Sequence, residues 1–354
     1  MPSICLNMIV RNESKIITRL FDSVLPVIDS YCICDTGSTD NTIDMIKSYF
    51  ESKNINGEIF TEPFKNFGYN RNLALQRAKK WGDYILLLDA DMILKIEDFK
   101  KSNLTKNVYS ILQKHGSLEY YNIRLVKSTT PIICVGVTHE HYKCEQASRL
   151  HSLRILDVGD GGCKADKFER DIRLLSEYLV EHPDDPRTLF YLANSYRDLG
   201  NNEQAIATYK KRIEVGGWKE EVWSSYLSIG RCQMRMGNPD SAVASWLFGF
   251  DYYPKRAENI YEIVRHYRET SKYRLASHFI NLGKKIPYPR NDILFIEPDV
   301  YDYLFDFELS IIAYYIPGLL NREDIEQLFN KLIKNKNNKH LKMTIDNYNF
   351  YNMK

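Results

Sequence analysis

Apolar and polar residues alternate in blocks along the first quarter of the chain, and the blocks predict strands separated by helices. Four apolar runs of strand length follow one another at residues 4–10, 31–34, 58–60 and 84–88. Between the second and third runs, Ile43, Ile46 and Phe50 recur at helical spacing, behind a predicted N-cap at Thr39 or Asp40. The predicted order is β-α-β-α-β-α-β. Such alternation implies right-handed crossovers and a mostly parallel sheet, whose ligands bind beyond the carboxyl ends of the strands.

Two carboxylates, one residue apart, follow the fourth apolar run. Asp89 and Asp91 form an Asp-x-Asp box where the predicted strand ends. Mg²⁺ and Mn²⁺ prefer carboxylate oxygens, keep several waters and take their remaining ligands from phosphates. The box therefore predicts a site for a divalent cation that holds a diphosphate. Taken alone, two acids at a strand end are more often a solvated turn or a helix cap, so this alternative stays open for the box by itself.

The second strand is predicted to end in a capping turn that leaves one acid unexplained. Gly37 can take a positive φ, and the hydroxyl groups that follow it can cap the next helix. Asp35 precedes this cap. We expect its carboxylate to face the crevice and to accept a hydrogen bond from a nucleobase or a ribose.

Four segments occur in the order that is typical of one enzyme family. They are residues 7–13 (Asn-Met-Ile-Val-Arg-Asn-Glu), 35–42, 69–72 (Tyr-Asn-Arg-Asn) and 88–91. Together they resemble the family 2, GT-A-fold nucleotide-sugar glycosyltransferases, over about the first 165 residues. The resemblance implies a Rossmann-like α/β catalytic domain and Mn²⁺ or Mg²⁺ as cofactor. It also implies a nucleoside-diphosphate sugar as donor, with UDP-sugar favoured, and inverting transfer to an acceptor hydroxyl.

The same resemblance assigns roles to individual residues. It implies that Asp35 contacts the nucleobase, that Asp89 contacts the ribose or the metal, and that Asp91 binds the metal on the diphosphate. Arg71 matches a family arginine near the nucleotide, with a surface position on an amphipathic helix as the alternative. Two further residues match the family's first loop and are predicted at the donor site, with helix capping as their alternative: Asn12 and Glu13.

Glycosyl transfer also needs a base that takes the proton of the acceptor hydroxyl. After the strand-like run 132–137, the sequence Thr-His-Glu-His-Tyr places Glu140 between two imidazoles, similar to a His-Glu pair in many family members. Glu140 is the predicted base and His139 a predicted metal ligand. The alternative for the histidines is local hydrogen bonding on opposite faces of a strand. A zinc site is not expected, because no Cys or His pair with ligand spacing accompanies His139 and His141.

A later segment departs from the family pattern. Relatives often carry a histidine before a glycine ahead of a basic helix, whereas residues 156–162 read Leu-Asp-Val-Gly-Asp-Gly-Gly. Asp157 is predicted to replace that histidine as a metal or diphosphate ligand, with loss of the ligand role at this position as the alternative. Lys164 and Lys167 are predicted to neutralise the leaving diphosphate, with solvent exposure as the alternative.

Beyond Phe168 the pattern becomes helical and repeats itself. Residues 192–209 return as 229–246 and, more faintly, as 263–280. The copies resemble tetratricopeptide (TPR) repeats, of which about three make a stable stack. The repeats are predicted either to brace the catalytic domain or to bind an acceptor or a protein partner. The predicted domains are a GT-A domain at 1–165, TPR-like repeats at 166–286 and a C-terminal extension of unassigned role at 287–354.

Composition agrees with this division and narrows the partners. The 354 residues are 44% hydrophobic, enough for two modest cores, and a net charge of +2 predicts no nucleic-acid partner. No secretory signal precedes Ile4 and no apolar run reaches the length of a membrane span. Seven scattered cysteines suit a reducing compartment, so a cytoplasmic location is predicted. The Lys, Asn, Ile and Tyr bias, together with the repeats, looks like glycosyltransferases of giant DNA viruses, for which the location would be the host cytoplasm.

Two rival functions remain. A nucleotidyltransferase of this fold would also use paired acids and a metal, but it usually has a Gly-rich basic loop after the first strand, and residues 8–14 contain no glycine. A repeat-based adaptor with an inactive transferase domain would keep the fold, and fold resemblance alone does not exclude it. The sequence names neither the sugar nor the acceptor, which is a glycan, a nucleotide-linked intermediate or a protein side chain.

Overall fold

The structure, a computed structural model, describes residues 1–116, 118–144, 146–162 and 166–352. The chain divides into two compact units, residues 1–178 and 179–354. This division falls inside the helix Lys167–Glu181, beyond the predicted boundary at 165, and no division occurs at 286. The assignment of three functional regions stays a prediction.

An eight-stranded mixed sheet organises the first unit. The strands are β1 (Ile4–Val10), β2 (Ser30–Asp35), β3 (Asn56–Thr61), β4 (Tyr84–Leu87), β5 (Met92–Ile96), β6 (Val108–His115), β7 (Leu118–Lys127), β8 (Ile133–Val135), β9 (His141–Lys143) and β10 (Ser148–Asp157). The helices are α1 (Ile17–Val24), α2 (Thr42–Ser52), α3 (Phe67–Ala78) and α4 (Lys167–Glu181), with a short 3-10 helix at Lys101–Asn103. The strand order is β3-β2-β1-β4-β7-β6-β10-β5, and β8 pairs with β9 separately.

The predicted β-α-β-α-β-α-β order and the mostly parallel sheet are confirmed. Strands β3, β2, β1 and β4 run parallel, so their carboxyl ends meet at one edge. The other half of the sheet contains the antiparallel pairs β4–β7, β7–β6 and β10–β5. Helix α2 begins one residue later than predicted: Asn41 is its N-cap residue, while the Asp40 carboxylate accepts from the backbone N–H of Thr42 at 3.1 Å.

Apolar side chains fill both faces of this sheet. One core cluster joins the inner face of β1 and β4 to α1 and α2, where Phe21 and Phe50 are fully buried. The other cluster packs Ala74 and Ala78 of α3 against the opposite face. Because both faces are covered, polar groups gather at the open edge where the strands end.

The second unit is helical. Its helices are α5 (Pro186–Asp198), α6 (Asn202–Val215), α7 (Lys219–Arg235), α8 (Pro239–Tyr252), α9 (Glu258–Glu269), α10 (Tyr273–Gly283), α11 (Phe305–Tyr315), α12 (Arg322–Lys334) and α13 (Leu341–Asn352). Helices α5/α6, α7/α8 and α9/α10 are the three predicted repeat copies. Gly230 shows why small residues recur in them: a Cβ there would lie 2.2 Å from Trp246 Nε1.

The C-terminal segment, which the sequence left unassigned, belongs to the helical unit. It contains a π-helix at Val300–Leu304 followed by α11 to α13. Phe305 packs edge-on against Tyr261 of α9, with ring centroids 5.8 Å apart. The irregularly spaced aromatic residues of this segment therefore form part of a core. Every helix in the described ranges is too short or too polar to cross a membrane.

Candidate active site

A cavity of about 490 Å³ opens at the carboxyl ends of β1, β2 and β4. Its wall also includes side chains from β6, β7 and α4, the loop after β8 and the end of β10. Most of the predicted site residues line it: Glu13, Arg71, Asp89, Asp91, His139, Glu140 and Asp157. The fold thus brings together groups that are far apart in the sequence, while their individual roles remain predictions.

Two of the predicted residues that the structure describes, Asp35 and Asn12, do not line this cavity. Asp35 is 1% exposed, and its carboxylate accepts from the backbone N–H groups of Gly37 and Ser38, each at 3.0 Å. This differs from the expectation that it faces the crevice, because the turn itself supplies its donors. Asn12, at φ 56°, accepts from the N–H of Thr39 at 2.7 Å and ties the first loop to that turn. Lys164 lies outside the described residues.

Asp89 is held between two arginines. Arg71 donates to one carboxylate oxygen at 2.6 Å, and Arg124 lies 3.3 Å from the other. Burial alone would raise the pKa of Asp89, but the two guanidinium groups outweigh burial and lower it. Asp89 was predicted to contact a ribose or a metal, whereas here both of its oxygens face arginines.

Asp91 lacks this compensation. Burial raises its pKa, and the negative charges of Asp89 and Asp157 raise it further. One Asp91 oxygen accepts from the backbone N–H of Gly161 at 3.4 Å. Burial raises the pKa of Glu13 to about 7, and Asp91 adds to that shift. Glu13, Asp91 and Asp157 therefore form an acidic group in the cavity, whose wall also includes the cationic side chains of Lys167 and Arg170.

This acidic group fits a divalent cation whose coordination shell is completed by a substrate. Within residues 1–116, 118–144, 146–162 and 166–352, no group of three or more His, Cys, Asp or Glu is arranged to hold a metal by itself. Hard cations commonly take one or two carboxylates and complete their shell with water and phosphate oxygens. Asp91 and Asp157 fit that donor set. His139, a predicted metal ligand, has its Nε2 3.8 Å from an oxygen of Asp171.

The loop that carries Glu140 is held from two sides. Glu140 Oε1 accepts from Arg71 Nε at 2.6 Å, so Arg71 bridges Glu140 and Asp89. Buried Asp171 of α4 accepts from the Thr138 hydroxyl at 3.1 Å. The predicted strand 132–137 is shorter, since β8 ends at Val135 and the backbone then bends. The histidines therefore do not alternate along one strand.

Two asparagines explain how Arg71 is presented to the cavity. Asn72 forms a pair of hydrogen bonds with the backbone of Cys134, both 2.8 Å, accepting from its N–H and donating to its carbonyl. Asn70 is fully buried and donates to the carbonyl of Pro63 at 3.1 Å. The Asn-Arg-Asn segment thus fastens α3 to the neighbouring loops while Arg71 lines the cavity.

Arg124 and Gln113 are among the cavity-wall residues that sequence reasoning missed. Arg124 of β7 donates to Gln113 Oε1 of β6 at 2.9 Å, and Gln113 Nε2 donates to Asp157 Oδ2 at 2.9 Å. Both side chains are buried. A polar residue within a buried strand was the available signal, because Ile123 and Leu125 flank Arg124 in the sequence.

Comparison with known proteins finds similarities for both parts of the chain. Residues 5–102 match the family model described as glycosyl transferase family 2, and residues 187–213 match one described as tetratricopeptide repeat. The SPbeta prophage-derived glycosyltransferase SunS of Bacillus subtilis (strain 168) is 29% identical over 235 residues, which covers 60% of this chain and 53% of that protein. A TPR repeat-containing protein of Synechococcus elongatus is 36% identical over 97 residues, 27% of this chain and 22% of that protein. A crystal structure of MamA protein covers 50% of this chain and 86% of its own, with 19% identity and a TM-score of 0.37.

The two family models and the SunS match confirm the predicted resemblance to family 2 glycosyltransferases at the N-terminal end and to TPR repeats in the helical unit. The chain spans about half the length of the SunS relatives it matches. Those relatives belong to a bacterium and a Bacillus phage, and nothing in the matches supports a giant-virus source.

Proposed function

We propose that the chain, whose residues 5–102 match the glycosyl transferase family 2 model, moves a sugar from a nucleoside-diphosphate sugar to an acceptor hydroxyl. A UDP-sugar is the favoured donor, Mn²⁺ or Mg²⁺ the cofactor, and the transfer inverts the anomeric centre. The observation that carries the proposal is the arrangement of acids in the cavity. Asp91 and Glu13 have raised pKa values, whereas Glu140 is held by Arg71 in the cavity wall.

Asp91 and Asp157 would hold the metal at the donor end. When bound, the cation would stabilise the negative charge that develops on the departing diphosphate. The raised pKa of Asp91 supports this assignment, because a cation relieves the repulsion among its neighbouring carboxylates. Lys167 also lines the cavity and can neutralise a phosphate oxygen.

Glu140 would act as the base. Its carboxylate takes the proton of the acceptor hydroxyl while the acceptor oxygen forms a bond to the anomeric carbon. The bond between that carbon and the diphosphate oxygen breaks on the opposite face, and the nucleoside diphosphate leaves with the electron pair. Arg71 keeps the Glu140 carboxylate oriented through its 2.6 Å hydrogen bond.

For the acceptor and the partners we propose only a chemical class, and for the location a compartment. A glycan or a protein side chain would serve as acceptor, and the TPR-like helices would bind a protein partner or the acceptor. A cytoplasmic location fits the unpaired cysteines of the described residues. The intact carboxylates of the cavity favour an active enzyme over an adaptor with an inactive transferase domain.

The test combines nucleotide binding with turnover. UDP, GDP, CDP and dTDP are titrated with and without Mn²⁺ against wild type, Asp91→Ala and Glu140→Gln. We expect one nucleotide to bind in a way that requires both Mn²⁺ and Asp91. Glu140→Gln should bind that nucleotide normally but lose roughly 10²- to 10⁴-fold in turnover, the usual contribution of a general base.

Two results would contradict the proposal at different points. If no nucleotide binds to wild type with Mn²⁺, the adaptor becomes the better explanation. If Glu140→Gln keeps near wild-type turnover with a defined acceptor, the assignment of the base is wrong while the donor site stands.

A further inference from the structure

A single chain of hydrogen bonds connects the two ends of the cavity wall. From Glu140 it runs through Arg71 to Asp89, then through Arg124 and Gln113 to Asp157. The link between Arg124 and Gln113 is buried, with Gln113 2% and Arg124 7% exposed, and the link from Gln113 to Asp157 is partly buried. Burial of Arg124 and Gln113 therefore limits competition from water at this part of the chain.

The orientation of the Gln113 amide follows from its two neighbours. Arg124 has only donors, so Gln113 must present its carbonyl oxygen to the guanidinium. Nε and an Nη of Arg124 reach that oxygen at 3.2 and 2.9 Å. The amide nitrogen consequently faces Asp157, and its donated hydrogen bond of 2.9 Å fixes one oxygen of that carboxylate.

The same arrangement keeps the buried guanidinium of Arg124 away from the Asp157 carboxylate, which the proposal assigns to the metal. Arg124 is committed to Asp89, the Leu87 carbonyl and Gln113. A neutral amide between Arg124 and Asp157 orients one carboxylate oxygen without neutralising it, and the other oxygen lies 3.4 Å from His115 Nδ1. Asp89, in contrast, contacts two guanidinium groups directly, and these compensate its negative charge.

From this geometry we infer that Gln113 is a positioning residue for metal and donor binding, acting through Asp157, and that Asp89 anchors the network instead of ligating the metal. The inference rests on the proposed function. Groups that orient metal ligands typically contribute about 10- to 100-fold in metal affinity. Gln113 acts in this way on the ligand that replaces the family's histidine.

The experiment measures Mn²⁺ binding, alone and with UDP or GDP, by calorimetry and by the electron paramagnetic resonance signal of free Mn²⁺. We expect Gln113→Leu to weaken Mn²⁺ binding by about 10- to 100-fold. Gln113→Asn, which is polar but too short to reach both neighbours, should weaken it to a similar extent. Gln76→Leu on the exposed side of α3 is the control and should bind Mn²⁺ like wild type.

A double-mutant cycle distinguishes positioning from general destabilisation. If Gln113 acts through Asp157, then Gln113→Leu combined with Asp157→Asn should bind Mn²⁺ no more weakly than Asp157→Asn alone. Additive losses, or wild-type affinity in both Gln113 variants at an unchanged melting temperature, would overturn the inference. If Gln113→Leu fails to fold, the Gln113→Asn series decides by the same criteria.

The outcome also separates this inference from the proposed function. Metal-dependent nucleotide binding by wild type that persists in both Gln113 variants would remove the positioning role and leave the transferase assignment standing. Absence of such binding in wild type would remove both.

Discussion

Both units of the protein bury charged side chains, but they balance those charges differently. In the helical unit, Arg256 and Glu258 are each 0% exposed and are joined by a hydrogen bond of 2.8 Å. Tyr301 donates to the second oxygen of Glu258 at 2.7 Å, and Arg256 also donates to the Leu294 carbonyl. In the cavity, Asp91 has carboxylate neighbours and a raised pKa.

The difference teaches that buried charge by itself does not indicate function. A buried pair whose donors and acceptors are all matched maintains a fold, and removing one partner leaves the other uncompensated. A partly buried carboxylate among other carboxylates costs folding energy, and a proton or a ligand of opposite charge relieves this cost. Imbalance, more than burial, marks the candidate site.

The largest effect should come from breaking the balanced pair. Arg256→Met leaves Glu258 buried without its cation and should lower the free energy of unfolding by about 3–5 kcal/mol. Urea denaturation measures this change. Arg322→Met, at an arginine that is 90% exposed and 3.4 Å from Glu326, is the matched control and should be nearly neutral. Equal effects of the two substitutions would remove the contrast between buried and exposed pairs.

Removing the charge of Asp91 should change stability in the opposite direction. Asp91→Asn removes a charge that its neighbours repel, so the metal-free protein should become more stable at neutral pH while Mn²⁺-dependent nucleotide binding is lost. Thermal denaturation without metal and nucleotide titration with Mn²⁺ measure the two effects. Asp98→Asn, at a side chain that is 92% exposed, should change neither. A destabilised Asp91→Asn protein would show that Asp91 is compensated after all.

The pH dependence of stability should sharpen the comparison further. Glu13 has its pKa raised from 4.5 to about 7, mainly by burial, so the folded state holds a proton that the unfolded state has already released in this range. Stability of the metal-free protein should therefore fall as the pH rises from about 4.5 to 7, and level off above that. Glu13→Gln should flatten this slope, as measured by urea denaturation at several pH values. An unchanged slope would assign the effect to other groups.

The smallest effect is expected from an exposed pair near the cavity. Arg19 donates to both oxygens of Asp160, at 2.8 and 2.6 Å, and the two side chains are 33% and 42% exposed. Arg19→Ala should cost less than about 1 kcal/mol, and added salt should reduce that cost. A loss as large as that of Arg256→Met would place this pair with the buried ones.

Local patterns in the sequence were sufficient for the architecture. The alternation of apolar runs and helical spacings predicted β1 to β4 with their helices, because each pattern directly reflects which side of an element is buried. The same logic located the Asp89/Asp91 box at the sheet edge and the three helix pairs. Periodicity did not predict the structure of residues 287–354, since their aromatic residues pack without a regular period.

Only the tertiary structure decided which charges are balanced. Asp35, Asp89 and Asp91 look alike in the sequence, as acids after buried strands. In the folded chain, Asp35 accepts from backbone N–H groups of its own turn, and Asp89 contacts two arginines from α3 and β7. Asp91 lies among carboxylates. The physical reason is separation along the sequence. Periodicity depends on residues that are neighbours within one element, whereas charge compensation depends on side chains that only folding brings together.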